Sequence, residues 1–321
     1  MVKKKGTEKR ILSLKEWKSP IPKKIHLIWI GAEPPDYFKH FLDSFHHNLP
    51  EFEIRVWGNK ELNKRNFPIT IPYIRKAQKL QGKKIKASPD VTHDQRMLSM
   101  LNTKGENYTY SKWAQITDLM RLEIVFREGG YYFDTTFEIL KPMYQLFNLP
   151  KVKFVGCNEV PRFKDFHILS NSFFGAIKGS PILKRLLNKR TLDQIDFYST
   201  AVDFETGPGF LRSVVKTTDP IKIFPSKYFY PFVEEYTPGQ DPPYRKSSKN
   251  KCHSFKKRNT RKAKQTKRQT NRNKKNSSRV IRLKNKKGYL EIPCKKYPQS
   301  YALKHWQLGK SWLISNYYLR D

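Results

Sequence analysis

The chain has 321 residues, of which 37% are hydrophobic, and its formal net charge is +36 at pH 7. This length accommodates one large domain or two small ones, but the hydrophobic fraction is low for a chain that is globular throughout. The three cysteines have no metal-ligand spacing, and no run of about 18 apolar residues occurs. The composition therefore argues against a disulfide framework, a zinc site and a transmembrane helix, and it favours a soluble protein in a reducing, cytoplasmic location.

The first third of the chain predicts the opening of an α/β fold. Residues 1–20 are basic and lack an apolar core long enough for a signal peptide, so we expect a mobile N-terminal lead. The sequence predicts a buried strand over 24–30, a helix over 35–48 and a second strand over 52–57. This order is typical of a doubly wound α/β sheet. Residues 79–108 are polar and poorly periodic, which indicates a lid or a variable insertion.

The segment 113–143 carries the clearest signals for function. Its apolar residues recur at helical spacing as far as Gly129 and Gly130, a pair that suits the left-handed backbone of a helix stop. Within this helix, Asp118 and Arg121 lie three positions apart, so both project from one face. Polar groups on an otherwise apolar helix make this face a candidate site.

The strand predicted after the two glycines places a carboxylate, Asp134, near its carboxyl end. Alternation along an uninterrupted strand would put Tyr132, Thr136 and Glu138 on the same face as this carboxylate. Since ligands of open α/β sheets bind beyond the carboxyl ends of the strands, Asp134 is a candidate binding residue. The alternative is structural: the acidic and basic residues of the helix would form an ion pair in the core, and Asp134 would cap the next turn.

Later segments extend this pattern and then interrupt it. Apolar runs predict strands over 153–156, 172–177 and 221–224, and a helix over 182–189. The tract 244–287 contains 20 Lys or Arg and no Asp or Glu, with Asn, Ser, Thr and Gln between them. Because like charges repel and few apolar side chains can be buried there, we expect this tract to be disordered.

The stretch around the two glycines resembles the signature of glycosyltransferase family 32, a sugar-binding region containing a DXD motif. The family pattern is Asp-x-x-Arg followed by Gly-Gly-x-Tyr-x-Asp-x-Asp. The residues that match it are Asp118, Arg121, Gly129, Gly130, Tyr132 and Asp134. Thr136 stands where the family has its second Asp. The segments 21–31, 171–187, 206–211 and 301–312 also resemble family segments, in the family's order.

The resemblance implies an α/β fold of the GT-A type, a Rossmann-like nucleotide-diphospho-sugar transferase domain with a mixed central sheet flanked by helices. This domain would comprise 21–241 and 289–321, with 1–20 as the basic lead and 242–288 as a basic insertion. The implied reaction moves a hexose from a UDP- or GDP-linked donor to a hydroxyl group of a glycan or protein, with retention of configuration.

The resemblance also implies roles for individual residues. Asp118, Arg121 and Asp134 would be the catalytic residues, holding the sugar and the donor. The implied donor-binding residues are Trp29, Asp118, Arg121, Tyr132, Asp134, Asn171, Ser311 and Trp312. A divalent cation, Mn²⁺ or Mg²⁺, would bind Asp134 and His305, with Glu138 supplying charge that Thr136 lacks. Without the resemblance, Trp29 would be interpreted as a core residue and His305 as a structural histidine.

Two further functions stay open. The replacement of the second Asp by Thr136 leaves three outcomes open. These are weaker metal binding, metal-independent transfer that uses basic residues, and a degenerate protein of this fold without catalysis. A polyanion-binding protein would instead use the tract 244–287 to bind nucleic acid or an anionic membrane surface. Aromatic residues are sparse in this tract, so we expect such binding to be salt-sensitive and to lack base stacking.

Overall fold

The computed structural model describes residues 16–84, 101–104, 107–159, 169–199, 202–231, 283–285, 288–290 and 299–304. The strands are β1 (Lys24–Ile28), β2 (Glu53–Trp57), β3 (Leu101–Lys104), β4 (Asn107–Tyr110), β5 (Gly130–Phe133), β6 (Phe137–Ile139), β7 (Phe154–Asn158), β8 (Leu169–Ala176), β9 (Ile221–Phe224), β10 (Leu283–Asn285), β11 (Gly288–Leu290) and β12 (Ala302–Lys304). The helices are α1 (Asp36–Asn48), α2 (Ile71–Leu80), α3 (Trp113–Glu128), α4 (Tyr144–Phe147), α5 (Pro181–Leu186), α6 (Lys189–Asp193), α7 (Val202–Glu205) and α8 (Pro208–Ser213).

A six-stranded sheet in the order β2-β1-β5-β8-β7-β9 forms the centre of the described part of the chain. Strand β1 runs parallel to both β2 and β5, whereas β8 runs antiparallel to β5 and to β7. Strand β9 completes the sheet parallel to β7. The predicted fold class, α/β with a mixed central sheet flanked by helices, is confirmed.

Apolar side chains cover both faces of this sheet. Along β5, successive side chains point to opposite faces, so Tyr131 and Phe133 pack in one cluster and Tyr132 in the other. Helix α1 contributes Phe38 and Phe45 to the first cluster, while α2 and α3 contribute to the second. Because both faces of the sheet are buried, its strands have continuous apolar sequences rather than alternating polar and apolar residues.

Helix α3 ends at the predicted glycine pair. The N–H group of Gly129 donates to the carbonyl of Val125, and φ is +66° at Gly129 and +102° at Gly130. Side chains rarely adopt such angles, so glycine is favoured at both positions. A Cβ atom at Gly130 would also lie 2.6 Å from the carbonyl oxygen of Lys24. The two glycines therefore stop the helix and let β5 approach β1 closely.

The strand after these glycines is shorter than predicted. Strand β5 ends at Phe133, and the N–H group of Asp134 makes a last bond to the carbonyl of Ser172 in β8. The chain then turns, with the N–H group of Phe137 donating to the carbonyl of Asp134, and β6 pairs with β12 in a separate sheet. The expectation of one uninterrupted strand, with Asp134 and Glu138 on one face, is therefore wrong. The aspartate begins a tight turn of the kind that its side chain favours.

The helices differ from the prediction in two places. Helix α2 was not predicted, although Tyr73, Ile74 and Ala77 of its buried face recur at helical spacing. The helix predicted over 182–189 is divided into α5 and α6, because the side chain of Asn188 accepts the N–H group of Thr191 and caps the start of α6. The first helix and the other predicted strands are confirmed, with ends that differ by a few residues.

Two predicted regions lie largely outside the described residues. Within 79–108, β3 begins an antiparallel hairpin with β4, and residues 85–100 are not described. Within the basic tract, β10 pairs with β11 in a short antiparallel hairpin, and residues 232–282 are not described, so disorder of the tract stays a prediction. In the described part of the chain, no helix is both long and apolar enough to cross a membrane.

Candidate functional site

The candidate site lies beyond the carboxyl ends of β1 and β5. Trp29 follows β1 directly and Asp134 follows β5, and because these strands are parallel neighbours, both residues lie at the same edge of the sheet. Helix α3 brings Asp118 and Arg121 to Asp134, and β8 brings Asn171 to the same place. The structure thus gathers the predicted motif residues where an α/β sheet binds its ligands.

Arg121 connects the two carboxylates. Its Nη1 atom lies 3.2 Å from Oδ1 of Asp134, and its Nη2 atom lies 3.1 Å from Oδ1 of Asp118. Nη1 also donates to the carbonyl of Asn171 at 2.8 Å, and the guanidinium lies over the ring of Tyr132, 4.6 Å from its centroid. A planar group with partners on several sides has a fixed orientation. The ion pair between Asp118 and Arg121 that the structural alternative predicts therefore exists, and Arg121 pairs with Asp134 as well.

Asp118 is a buried and fully hydrogen-bonded carboxylate. The side-chain amide of Asn171 donates to Oδ1 and the hydroxyl of Thr206 donates to Oδ2, both at 2.9 Å. Burial raises the pKa of Asp118 to about 6, although Arg121 and these hydrogen bonds favour its charged form. Sequence reasoning missed Thr206 as a site residue, and its only signal was its place in the segment 206–211.

Asp134 is more accessible, since 24% of its side chain is exposed. The hydroxyl of Tyr132 donates to Oδ1 at 2.7 Å, and the ammonium of Lys304 pairs with Oδ2. Burial raises the pKa of Asp134, but the attraction of Lys304 and Arg121 outweighs it and holds this pKa below its usual range. The carboxylate is therefore ionised at neutral pH and lies between two cations.

Lys304 was not predicted as a site residue. It ends β12, where it lies opposite Phe137 of β6, and only 4% of its side chain is exposed. Burial lowers the pKa of Lys304, whereas its partner Asp134 favours the charged form. A lysine inside an apolar strand of the segment 301–312 is the signal that could have found it.

Glu159, another buried carboxyl group, was also missed. Burial raises the pKa of Glu159 to about 8, against the attraction of Lys304, and the charges of Asp203 and Asp134 raise it further. Glu159 is therefore largely protonated at neutral pH, so the ammonium has Asp134 as its charged acidic partner.

The described residues do not fit a divalent cation well. Thr136 offers a neutral hydroxyl that is buried and has no hydrogen-bond partner in the described ranges. Glu138 lies on β6, with Oε1 3.9 Å from Nε2 of His40 on α1. Across the described residues, no group of three or more His, Cys, Asp or Glu side chains could hold a metal ion. His305, the remaining predicted ligand, lies outside them.

The other predicted donor-binding residues have mixed outcomes. The indole N–H group of Trp29 donates to the carbonyl of Ala32 at 2.8 Å, and its ring stacks on Phe38 with centroids 5.4 Å apart. Trp29 is half-buried beside the apolar cluster of α1, so its contact with a nucleotide base stays a prediction. Ser311 and Trp312 lie outside the described residues.

Residues 35–153 match the model of a protein family described as "Glycosyltransferase sugar-binding region containing DXD motif". This segment includes α3, the glycine pair and Asp134, so the predicted family resemblance is confirmed over these residues. A comparison with curated proteins found no match.

Several solved structures are similar to the chain. "PaToxG Glycosyltransferase" is 18% identical, with a TM-score of 0.38, over 60% of this chain and 68% of that one. The UDP-bound glycosyltransferase domain from the YGT toxin is 12% identical, with a TM-score of 0.37, over 64% of this chain and 79% of that one. Mouse xyloside xylosyltransferase 1 is 10% identical, with a TM-score of 0.37, over 64% of this chain and 86% of that one.

Proposed function

We propose that this protein is a glycosyltransferase that moves a hexose from a UDP- or GDP-linked sugar to a hydroxyl group of a glycan or protein, with retention of configuration. The family match over 35–153 supports the transferase class. The observation behind the proposal is the buried network in which Arg121 joins Asp118 and Asp134 at the carboxyl edge of the sheet.

Asp134 is the member of this network that a donor would contact directly. Its side chain is 24% exposed, against 6% for Asp118 and 7% for Arg121. Its ionised oxygens accept hydrogen bonds, which suits sugar or ribose hydroxyl groups. Asp118 acts mainly through Arg121, because its two oxygens already receive the amide of Asn171 and the hydroxyl of Thr206.

Transfer breaks the bond between the anomeric carbon and the diphosphate oxygen, and the departing nucleoside diphosphate takes the bonding electron pair. Fixed positive charge near that oxygen stabilises the transition state. Arg121 and Lys304 supply such charge on either side of Asp134. The acceptor hydroxyl forms the new bond to the anomeric carbon, and its proton passes to an oxygen of the departing phosphate.

The first test is turnover of a panel of UDP- and GDP-sugars by the purified full chain, with Mn²⁺, with Mg²⁺ or with EDTA. We expect Asp134→Asn to lower turnover by roughly hundredfold or more, because the variant loses the charge that orients both cations. The matched control is Asp43→Asn on the exposed surface of α1, which should leave turnover unchanged. Absence of turnover together with absence of UDP and GDP binding would disprove the transferase proposal.

Two other functions are supported by single observations. Because Thr136 replaces a carboxylate of the motif, a catalytically degenerate protein would be stabilised by UDP or GDP on heating but would turn over no donor. The net charge of +36 favours polyanion binding, which would appear as stabilisation by nucleic acid or anionic lipid vesicles that disappears at high salt.

A further inference from the structure

We propose that Lys304 takes the place of a divalent metal ion in this site, so that its ammonium, together with the guanidinium of Arg121, neutralises the donor diphosphate. This inference rests on the proposed glycosyl transfer, and it identifies the groups that supply the positive charge which the transfer needs. It departs from the DXD motif, in which two carboxylates imply a divalent cation.

The oxygens of Asp134 already have cationic partners. The Nζ atom of Lys304 pairs with Oδ2, and Nη1 of Arg121 lies 3.2 Å from Oδ1. The hydroxyl of Tyr132 also donates to Oδ1, at 2.7 Å. A divalent ion that bound this carboxylate would have to displace the ammonium and would then lie close to two positive groups, which repel it.

The fixed charge of the site is also balanced without a metal ion. In the DXD pattern, two carboxylates give a charge of −2 that a divalent ion balances. Here the second position is Thr136, a neutral hydroxyl, and the remaining carboxylate, Asp134, is balanced by Lys304. Relative to the DXD pattern, Thr136 removes one negative charge and Lys304 adds one positive charge. Asp134 and Lys304 together are therefore neutral without a metal ion.

Lys304 is also held in place by the fold. Strand β12 pairs with β6 so that Lys304 lies opposite Phe137, and the backbone N–H group of Lys304 donates to the carbonyl of Phe229 at 3.2 Å. Its ammonium lies 5.2 Å from the centroid of the Phe137 ring. Burial of a lysine is unfavourable unless its charge is paired. The ion pair with Asp134 therefore fixes a cation at the edge of the sheet.

Lys304 can serve both Asp134 and a ligand. An ammonium group has three donors and no acceptor, and a lysine binds phosphate as a point charge. Because Asp134 is partly exposed, a donor whose sugar or ribose hydroxyl groups bind this carboxylate brings its diphosphate close to the ammonium. Arg121 lies on the other oxygen of the same carboxylate, so the two cations flank Asp134 and both lie next to a donor that binds it.

The test combines nucleotide binding, metal binding and turnover of the purified full chain. UDP and GDP affinities are measured by calorimetry in EDTA for the wild type, Lys304→Met and Lys304→Arg. We expect Lys304→Met to weaken binding tenfold or more and Lys304→Arg to weaken it less than threefold. Lys141→Met, at the opposite end of the β6–β12 pair, is the matched control and should change binding less than twofold. Thermal unfolding identifies any variant that has lost its fold, and Lys304→Arg keeps the charge if Lys304→Met does not fold.

Mn²⁺ binding is followed separately by electron paramagnetic resonance, which needs no turnover. We expect the wild type to immobilise no stoichiometric Mn²⁺ and to turn over donor equally in EDTA and in Mn²⁺. One Mn²⁺ bound per chain and released by Asp134→Asn, turnover lost in EDTA, or unchanged nucleotide affinity in Lys304→Met would each overturn the inference. Nucleotide binding that depends on Lys304, without turnover of any donor, would support the inference and refute the transferase proposal alone.

Discussion

At the scale of single residues, the geometry of the candidate site depends most on Arg121. Its guanidinium contacts Asp118, Asp134 and the carbonyl of Asn171, and it covers the ring of Tyr132. These contacts need a planar group with donors on several edges, which a lysine does not have. Charge alone is therefore not sufficient at this position.

We expect Arg121→Lys to lower kcat/KM by roughly hundredfold, because small displacements of the groups that orient a substrate have effects of this size. Steady-state kinetics with the best donor measures it. Arg185→Lys, whose guanidinium pairs with Asp219 away from the motif, is the control and should retain activity. Equal kinetics for the two variants would show that Arg121 does not position the donor.

The sequence could predict those site residues that lie close together along the chain. Asp118 and Arg121 are three positions apart on one helix, and Asp134 follows the glycine pair, so the motif itself specifies their proximity. Lys304 is separated from Asp134 by 170 positions, and Thr206 is separated from Asp118 by 88. Periodicity does not encode contacts at such distances, which form only when the strands have paired.

At the scale of elements, the glycine pair sets the position of β5 against β1. A Cβ atom at Gly130 would lie 2.6 Å from the carbonyl oxygen of Lys24 and 3.2 Å from Nε2 of His26, at a φ of +102°. Gly179 has a φ of +70°, but apart from its chain neighbours no atom of the described residues lies within 4 Å of a Cβ atom placed there. The two positions thus share backbone strain and differ in steric clash.

We expect Gly179→Ala to lower the free energy of unfolding by about 1 kcal/mol, the usual cost of a side chain in this backbone region. Gly130→Ala should lower it by about 3 kcal/mol or more, because β5 must also move away from β1. Urea unfolding of both variants measures the difference. Similar losses in the two variants would mean that close packing at Gly130 is unimportant.

Most elements with a strong apolar pattern were predicted, but α2 was not, although its buried face has helical spacing. The start of α2 is stabilised by Glu123 of α3, whose carboxylate accepts the N–H groups of Ile69 and Thr70 and the hydroxyl of Thr70. The interpretation as one uninterrupted strand overlooked the turn at Asp134, which only the structural alternative included. The alternating residues from Tyr132 to Glu138 have the pattern of one strand, although β5 ends at Phe133 and residues 137–139 pair with β12 in another sheet.

At the scale of the whole molecule, a neutral histidine lies inside the central sheet. The Nε2–H group of His26 donates to the carbonyl of Gly129 at 2.8 Å, and the indole of Trp57 donates to Nδ1. Burial lowers the pKa of His26 to about 4, although the carbonyl of Gly129 and the charge of Glu128 partly oppose this. Protonation would remove the acceptor that Trp57 uses.

As the pH falls, Asp118 and Glu159, whose pKa values are raised by burial, add stability to the fold, whereas the protonation of His26 removes it. The unfolded chain takes up this proton near pH 6.5 and the folded chain near pH 4, so the contribution of His26 is complete above pH 6.5 and is lost as the pH falls to 4. The loss amounts to about 3 kcal/mol in the free energy of unfolding. Urea unfolding should show that the difference in the free energy of unfolding between His26→Gln and the wild type changes by about this amount from pH 6.5 to pH 4. His46→Gln on the exposed face of α1 should keep a constant difference from the wild type. If the free energy of unfolding of His26→Gln depends on pH in the same way as that of the wild type, His26 does not make this contribution.

The pairing of β12 with β6 also determines when the site can be completed during synthesis. The ribosome releases the motif residues, including Asp134, long before Lys304, and the basic tract emerges between them. Until β12 docks, the nascent domain holds Asp134 without its ammonium partner. The order of synthesis thus delays the donor site until the polypeptide has passed residue 304, and a chain released earlier would contain the motif but not the assembled pair of cations.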